Sequence, residues 1–217
     1  MIRRLALPLG VLCLTLFAAP ALAGEEGPYI GAHFGALLLD EAENTGRGDS
    51  FHLDFDPGTL YGGAFGYDLG ENHPRIGRGR VELEVSSGQS DLKEAHFLDG
   101  KVDAEGDISA LSFMLNTVGE SRNDSAWTPF IGFGFGYALV SLNNARASGQ
   151  PLADDEDGVF AWQALAGISL AMHRLVNLDF AYRYFSAVEP ELKDATGETF
   201  ESEYSSHRLS LGLRVGF

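Results

Sequence analysis

PFIGFGFGYALV, residues 129–140, alternates at almost every position, with Ile131, Phe133, Phe135, Tyr137 and Leu139 on one side and Gly132, Gly134 and Gly136 on the other. A period of two belongs to a β-strand whose two faces meet different surroundings. A water-facing side would normally carry Lys, Glu, Thr and Gln. Here it is glycine, which suits a crowded interior where backbones approach closely. The bulky apolar side must then point outward, and the medium that touches Phe133 and Phe135 decides the fold.

Seven further segments repeat the pattern. YIGAHFGALLL (29–39) sets Ile30, Ala32, Phe34, Ala36 and Leu38 against Tyr29, Gly31, His33 and Gly35. LYGGAFGYDL (60–69) opposes Tyr61, Phe65, Tyr67 and Leu69 to Gly62, Ala64, Gly66 and Asp68. RGRVELEVS (78–86) and DISALSFMLNTV (107–118) follow, then FAWQALAGISLA (160–171), VNLDFAYRYFS (176–186) and HRLSLGLRVGF (207–217). The segments run roughly 9–12 residues, matching the ~9–11 that a tilted strand needs to cross a bilayer, whereas soluble strands average nearer ~5–6. Large apolar faces turned outward on every strand would aggregate in water and are favourable only in lipid. A soluble secreted barrel is the competing reading. The pattern predicts an all-β, eight-stranded antiparallel up-and-down transmembrane β-barrel.

The connections agree. Long polar segments at 40–58, 88–106, 142–157 and 187–203 alternate with short ones around ENHPRIG, GESRNDSA and MHR. Transmembrane barrels carry long loops outside the cell and short turns in the periplasm, so both termini are expected to be periplasmic. Most acidic residues fall in the long segments.

The N-terminus predicts the compartment. Arg3 and Arg4 precede an apolar run from Leu5 to Ala19 and the small-residue site Ala21-Leu22-Ala23. That is a secretory signal peptide (1–23), too short and too proline-interrupted for a membrane helix. Residues 24–217 are expected to form one domain. Cys13, the sole cysteine, would leave with the signal, removing thiol chemistry from the remainder. The net charge of −16 becomes more acidic once Arg3 and Arg4 are lost. Nucleic acid is therefore not an expected partner.

PYIGAHFG, GGAFGYDLG, RGRVELEV, TPFIGFGFGYALV, FAWQALAGISLA, LDFAYRYF and LSLGLRVGF, in that order and spacing, resemble the small eight-stranded outer-membrane β-barrel family of OmpA-type membrane domains and opacity-type surface proteins. The resemblance covers nearly all of residues 27–217. It implies residence in the outer membrane among lipids and lipopolysaccharide. It also implies assembly by the outer-membrane insertion machinery, with Phe217 and the alternating Val215 and Leu213 as the recognised terminal signal. The chain stops at the barrel, so no cell-wall anchoring role is expected.

Charges on the small-residue faces form the candidate site. With strands paired in order, the third and seventh face each other across the lumen. This places Arg80 near the level of Asp179 and Glu84 near Arg183; Glu82, Asp68, Arg208 and Arg214 extend a mixed-sign network plugging the lumen. Buried charges persist only when paired; separate hydration in a wet lumen is the alternative.

Other constellations carry less. Asp154-Asp155-Glu156-Asp157 offers hard oxygens but lacks the spacing of a calcium loop. The six histidines are scattered, with no zinc motif. The G-x-G-x-G run lies inside a strand and does not suit a nucleotide. No cofactor or metal is expected. Glu203, Ser205 and His207 share one face and contain the groups of a hydrolase triad, but residues two apart stand ~6.6 Å from each other. The leading expectation is a non-enzymatic surface-interaction or structural protein displaying acidic loops. A narrow gated pore and a lipid hydrolase are the alternatives.

Overall fold

The computed structural model describes residues 26–46, 49–70, 79–97, 100–121 and 125–217. The signal-peptide segment 1–23 and the ENHPRIG turn lie outside them. The described chain forms β1 (Glu26–Leu39), β2 (Ala42–Gly46), β3 (Asp49–Phe55), β4 (Gly58–Leu69), β5 (Gly79–Phe97) and β6 (Gly100–Glu120). It continues with β7 (Trp127–Ala147), β8 (Gln150–His173), β9 (Val176–Ala187), β10 (Glu191–Lys193), β11 (Thr199–Ser202) and β12 (Tyr204–Gly216).

Eight of these close a ring. β1 pairs β4, β4 pairs β5, and pairing continues in order through β6, β7, β8 and β9 to β12. β12 returns to β1, with Tyr29 opposite Gly216 and Ile30 opposite Val215. Every pair is antiparallel, and closure leaves none of the eight with a free edge across the band. The eight alternating segments of the sequence are these eight strands.

Their faces fall as the alternation requires. Phe34, Phe65, Leu83, Ile131, Phe133, Leu209 and Leu213 are exposed on the outside, Ile131 by 72%. Arg80, Glu84, Ser112, Asn116, Gln163 and Ser210 are buried inside. Interior glycine has a steric cause: a Cβ built on Gly136 would stand 1.9 Å from the Phe113 carbonyl oxygen. The neighbouring strand leaves no room for it.

The long polar segments differ from expectation. They are largely β-structure rather than open loops. β5, β6, β7 and β8 run on as two tall hairpins, β5 ending at Phe97 with β6 starting at Gly100 and β7 turning into β8 at 148–149, and β2, β3, β10 and β11 form a second ladder joined to β5 through β3. A bridge between Ala153 and Asp194 ties β10 back to β8. The reason is a second alternation hidden beneath the acidic composition. Leu53, Leu92, Ala95, Ala104, Leu192 and Phe200 turn inward while carboxylates face outward. Together with Ile108, Met114, Val140, Leu142 and Phe185 they build one apolar core inside this end of the barrel and the cap above it. The opposite end holds both β1's start and β12's finish.

Candidate functional site: the filled lumen and its cap

Inward positions of β1, β5, β6, β8, β9 and β12 meet in the lumen's lower half, nearer the termini. Arg80 is buried; its Nε donates to Glu82 Oε1 at 2.6 Å, and its Nη1 donates to Glu120. Tyr29 also donates its hydroxyl to Glu82 Oε1, at 2.6 Å. Arg214 clasps Asp179 with two hydrogen bonds, Nε to Oδ2 at 2.5 Å and Nη2 to Oδ1 at 3.2 Å. Its Nη2 also donates to Ser169 Oγ at 2.9 Å. Paired forks of this kind are the stronger charge-assisted bonds. Phe130 lies under Arg80, with 4.7 Å from guanidinium carbon to ring centre.

One level higher, Glu84 collects donors from around the barrel. Arg183 Nη2 lies 3.5 Å from Glu84 Oε2, Asn116 Nδ2 donates at 3.3 Å and Gln163 Nε2 at 3.4 Å. Gln163 also donates to Asn116 Oδ1 at 2.7 Å. The Arg183–Glu84 contact joins β9 to β5, fourth neighbours in the ring, so it spans the lumen. Arg208, 1% exposed, lies above with its guanidinium carbon 3.7 Å from the Phe185 ring centre and Nε bonded to Ser206 Oγ at 3.0 Å.

The sequence-derived set therefore separates into parts. Glu84 and Arg183 meet. Arg80 and Asp179 do not pair with each other; each takes a partner nearer at hand, Arg80 from its own strand and from β6, Asp179 from adjacent β12. Neighbouring strands lie ~4.8 Å apart, closer than the far wall, and a long arginine reaches a diagonal carboxylate there. Arg208 stacks on an aromatic ring instead of joining a carboxylate. Asp68 stands at the terminal mouth, accepting from the Gly70 amide at 3.0 Å. Tyr29, Asn116, Glu120, Gln163 and Ser169 were missed, although their inward register was readable from the alternation. The void left among Arg80, Glu82, Glu84, Asp179, Arg183 and Arg214 is ≈ 40 Å³, room for a few waters.

Outside the lumen, Ser205 Oγ donates to Asp40 Oδ2 at 2.7 Å, and His207 Nε2 lies 3.1 Å from Asp40 Oδ1. The Tyr182 hydroxyl shares a 2.6 Å hydrogen bond with His207 Nδ1. Asp40 separates the two groups by bonding both, and Glu203 is exposed without orienting His207. The arrangement lacks the serine–histidine bond that activates a nucleophile. Asp155 and Asp157 accept the backbone N–H groups of Lys193 and Glu191, at 3.0 and 2.9 Å. The acidic run thus pins β10 through carboxylates where a strand ladder would use carbonyls. Leu213, Val215 and Phe217 lie along the β1–β12 seam, where the Phe217 amide donates to the Pro28 carbonyl at 3.1 Å.

Comparison with known proteins gives one consistent answer. The family model described as outer membrane protein beta-barrel domain matches residues 9–217. The chain is 24% identical over 215 residues to outer membrane protein PagN of Salmonella typhimurium, covering 90% of this chain and 89% of that one. Among solved structures, OprG of Pseudomonas aeruginosa superposes with a TM-score of 0.60 at 14% identity, covering 90% of this chain and 99% of that one. Neisserial surface protein A superposes at 0.53 with 20% identity, covering 88% and 97%. These likenesses carry the fold.

Proposed function

Because this chain belongs to the outer membrane protein β-barrel family and is an outer-membrane β-barrel protein, we propose that it works as a non-channel surface protein. In this reading both termini face the periplasm and the barrel is a rigid stalk. The acidic cap stands outside the cell for contact with positively charged partners or for envelope integrity. Lipid and lipopolysaccharide surround the band of Phe34, Phe133 and Leu213, and Phe217 ends the strand read by the assembly machinery.

The observation that carries the reading is the closed lumen. A charged network fills the lower half and an apolar core from Ile108 to Phe200 fills the upper half. Eight-stranded barrels enclose only enough space for side chains. A wide pore has no path, and an acidic surface favours cationic groups by field and screening alone. Planar-bilayer recordings test the barrel, with no steady conductance expected; a persistent open level in the wild type refutes the reading. Epitope tags test the orientation. A tag between Ser148 and Gly149 should be labelled on intact cells and one at Arg174 should not; the reverse pattern overturns it.

A further inference from the structure

Three of the lumen's arginines have a carboxylate at hand: Arg80 pairs with Glu82, Arg183 with Glu84 and Arg214 with Asp179. Arg208, equally inside and 1% exposed, makes no ion pair among the described residues. Its position deepens the shortage. Arg208 stands directly opposite Arg183 on β9, a cross-strand placement in which like charges destabilise a sheet. The carboxylate of that tier, Glu84, already takes Arg183, Asn116 and Gln163. The Phe185 ring, 3.7 Å from the Arg208 guanidinium carbon, offsets part of the burial cost. A ring quadrupole does not balance a full charge.

The hydrogen bonds show the same lack independently. Arg208 Nε donates to Ser206 Oγ at 3.0 Å, but Nη2 is sealed from solvent and has no partner. Tyr204 lies four residues earlier on the same inward face of β12, 2% exposed, with its hydroxyl also sealed and unpartnered. It packs edge-on against Phe185, ring centres 6.0 Å apart, so both side chains meet at one ring. A guanidinium N–H can only donate, and the hydroxyl has one hydrogen to give. Buried polar groups in that condition call for a partner. Two sealed donors beside a buried cation lack the same thing, an acceptor bearing negative charge.

We propose that Arg208 Nη2 and the Tyr204 hydroxyl bind a monovalent inorganic anion of halide size, chloride under ordinary conditions. Chemistry narrows the ligand to this class. Water accepts either bond but leaves the guanidinium uncompensated in a low-dielectric interior. Sulfate or phosphate brings more charge and more acceptor oxygens than one cation and two donors can satisfy. The enclosure, with the charged network below and the apolar core of Ile108, Leu142 and Phe185 above, restricts the ligand to a small ion. The anion also completes the balance of its tier, setting Arg183 and Arg208 against Glu84 and one further negative charge. It is then a structural part of the plug, placed where the polar lumen gives way to the cap's core.

The test is urea titration of the full-length barrel in lipid vesicles, with sodium chloride exchanged for sodium gluconate at constant ionic strength. For one bound ion, a tenfold rise in chloride above its dissociation constant should raise the folded-to-unfolded ratio about tenfold. Bromide should replace chloride and give one anomalous-scattering peak between Arg208 and Tyr204 in crystals. Arg208→Gln should abolish the chloride dependence and Tyr204→Phe should weaken it severalfold, both keeping the heat-modifiable gel shift of a folded barrel. Lys193→Gln, which removes an exposed cation, should leave the dependence intact. A wild-type ratio independent of chloride, an undiminished dependence in Arg208→Gln, or water rather than bromide between the two side chains each overturns the proposal.

Discussion

Replacing Arg214 by alanine should destabilise the barrel far more than replacing Arg183, although both guanidinium groups enter the same lumen. The difference lies in what each leaves behind. Asp179 is 9% exposed and takes its hydrogen bonds from Arg214 alone among the described residues. Arg214→Ala strands that carboxylate, and an uncompensated buried charge costs about 3–5 kcal/mol. Glu84 loses only one of three donors in Arg183→Ala, the longest at 3.5 Å, and keeps Asn116 and Gln163. Loss of one hydrogen bond to a charged group costs about 1.5–3 kcal/mol. The gap of about 1.5–2 kcal/mol corresponds to roughly 13- to 30-fold in the folded-to-unfolded ratio. Urea titration of barrels in lipid vesicles measures it, read by fluorescence of Trp127 and Trp162 and by gel mobility of unboiled samples. Arg214→Met combined with Asp179→Leu should recover most of the loss, since removing both charges removes the penalty. Equal costs for Arg183→Ala and Arg214→Ala would refute the reasoning. So would strict additivity of Arg214→Ala and Asp179→Ala, because contacting residues should couple.

Three other perturbations probe separate elements. Asp155→Ala with Asp157→Ala should release β10, since two backbone N–H groups lose their acceptors; at about 0.5–1.5 kcal/mol each, amide exchange at 191–194 should quicken severalfold while the barrel strands hold. Deleting Phe217 should leave export intact and reduce the heat-modifiable folded fraction, because the β1–β12 seam loses its last hydrogen bond and a lipid contact; normal folded yield counts against this. Asp194, in the turn before β11, has its carboxyl held below its ordinary 3.8 by the Thr196 hydroxyl and then by the amides of Glu198, Thr196 and Gly197. A lowered folded pKa means that the turn is fully held above the ordinary value and loosens as pH falls through the depressed one. Exchange at Thr196 and Glu198 should rise only below about pH 3.8, the ordinary value; loosening near neutrality would contradict it.

Sequence alternation alone determined the strand number, the lipid-facing side and the order of pairing. These follow from local chemistry: Phe133 against Gly134, or Leu213 against Arg214, specifies a face without knowledge of any other strand. It also brought Glu84 and Arg183 to one level, because both lie near mid-strand on opposite walls. The rest depended on closure. Which carboxylate Arg80 and Arg214 reach follows from the stagger between adjacent strands, and that is set only when β12 meets β1. The cap was hidden for a different reason. Its inward residues, Leu53, Ala95, Leu192 and Phe200, are few and scattered among carboxylates, so segment composition read as loop. Burying them requires several distant segments at once, and that cooperation exists only in the tertiary structure.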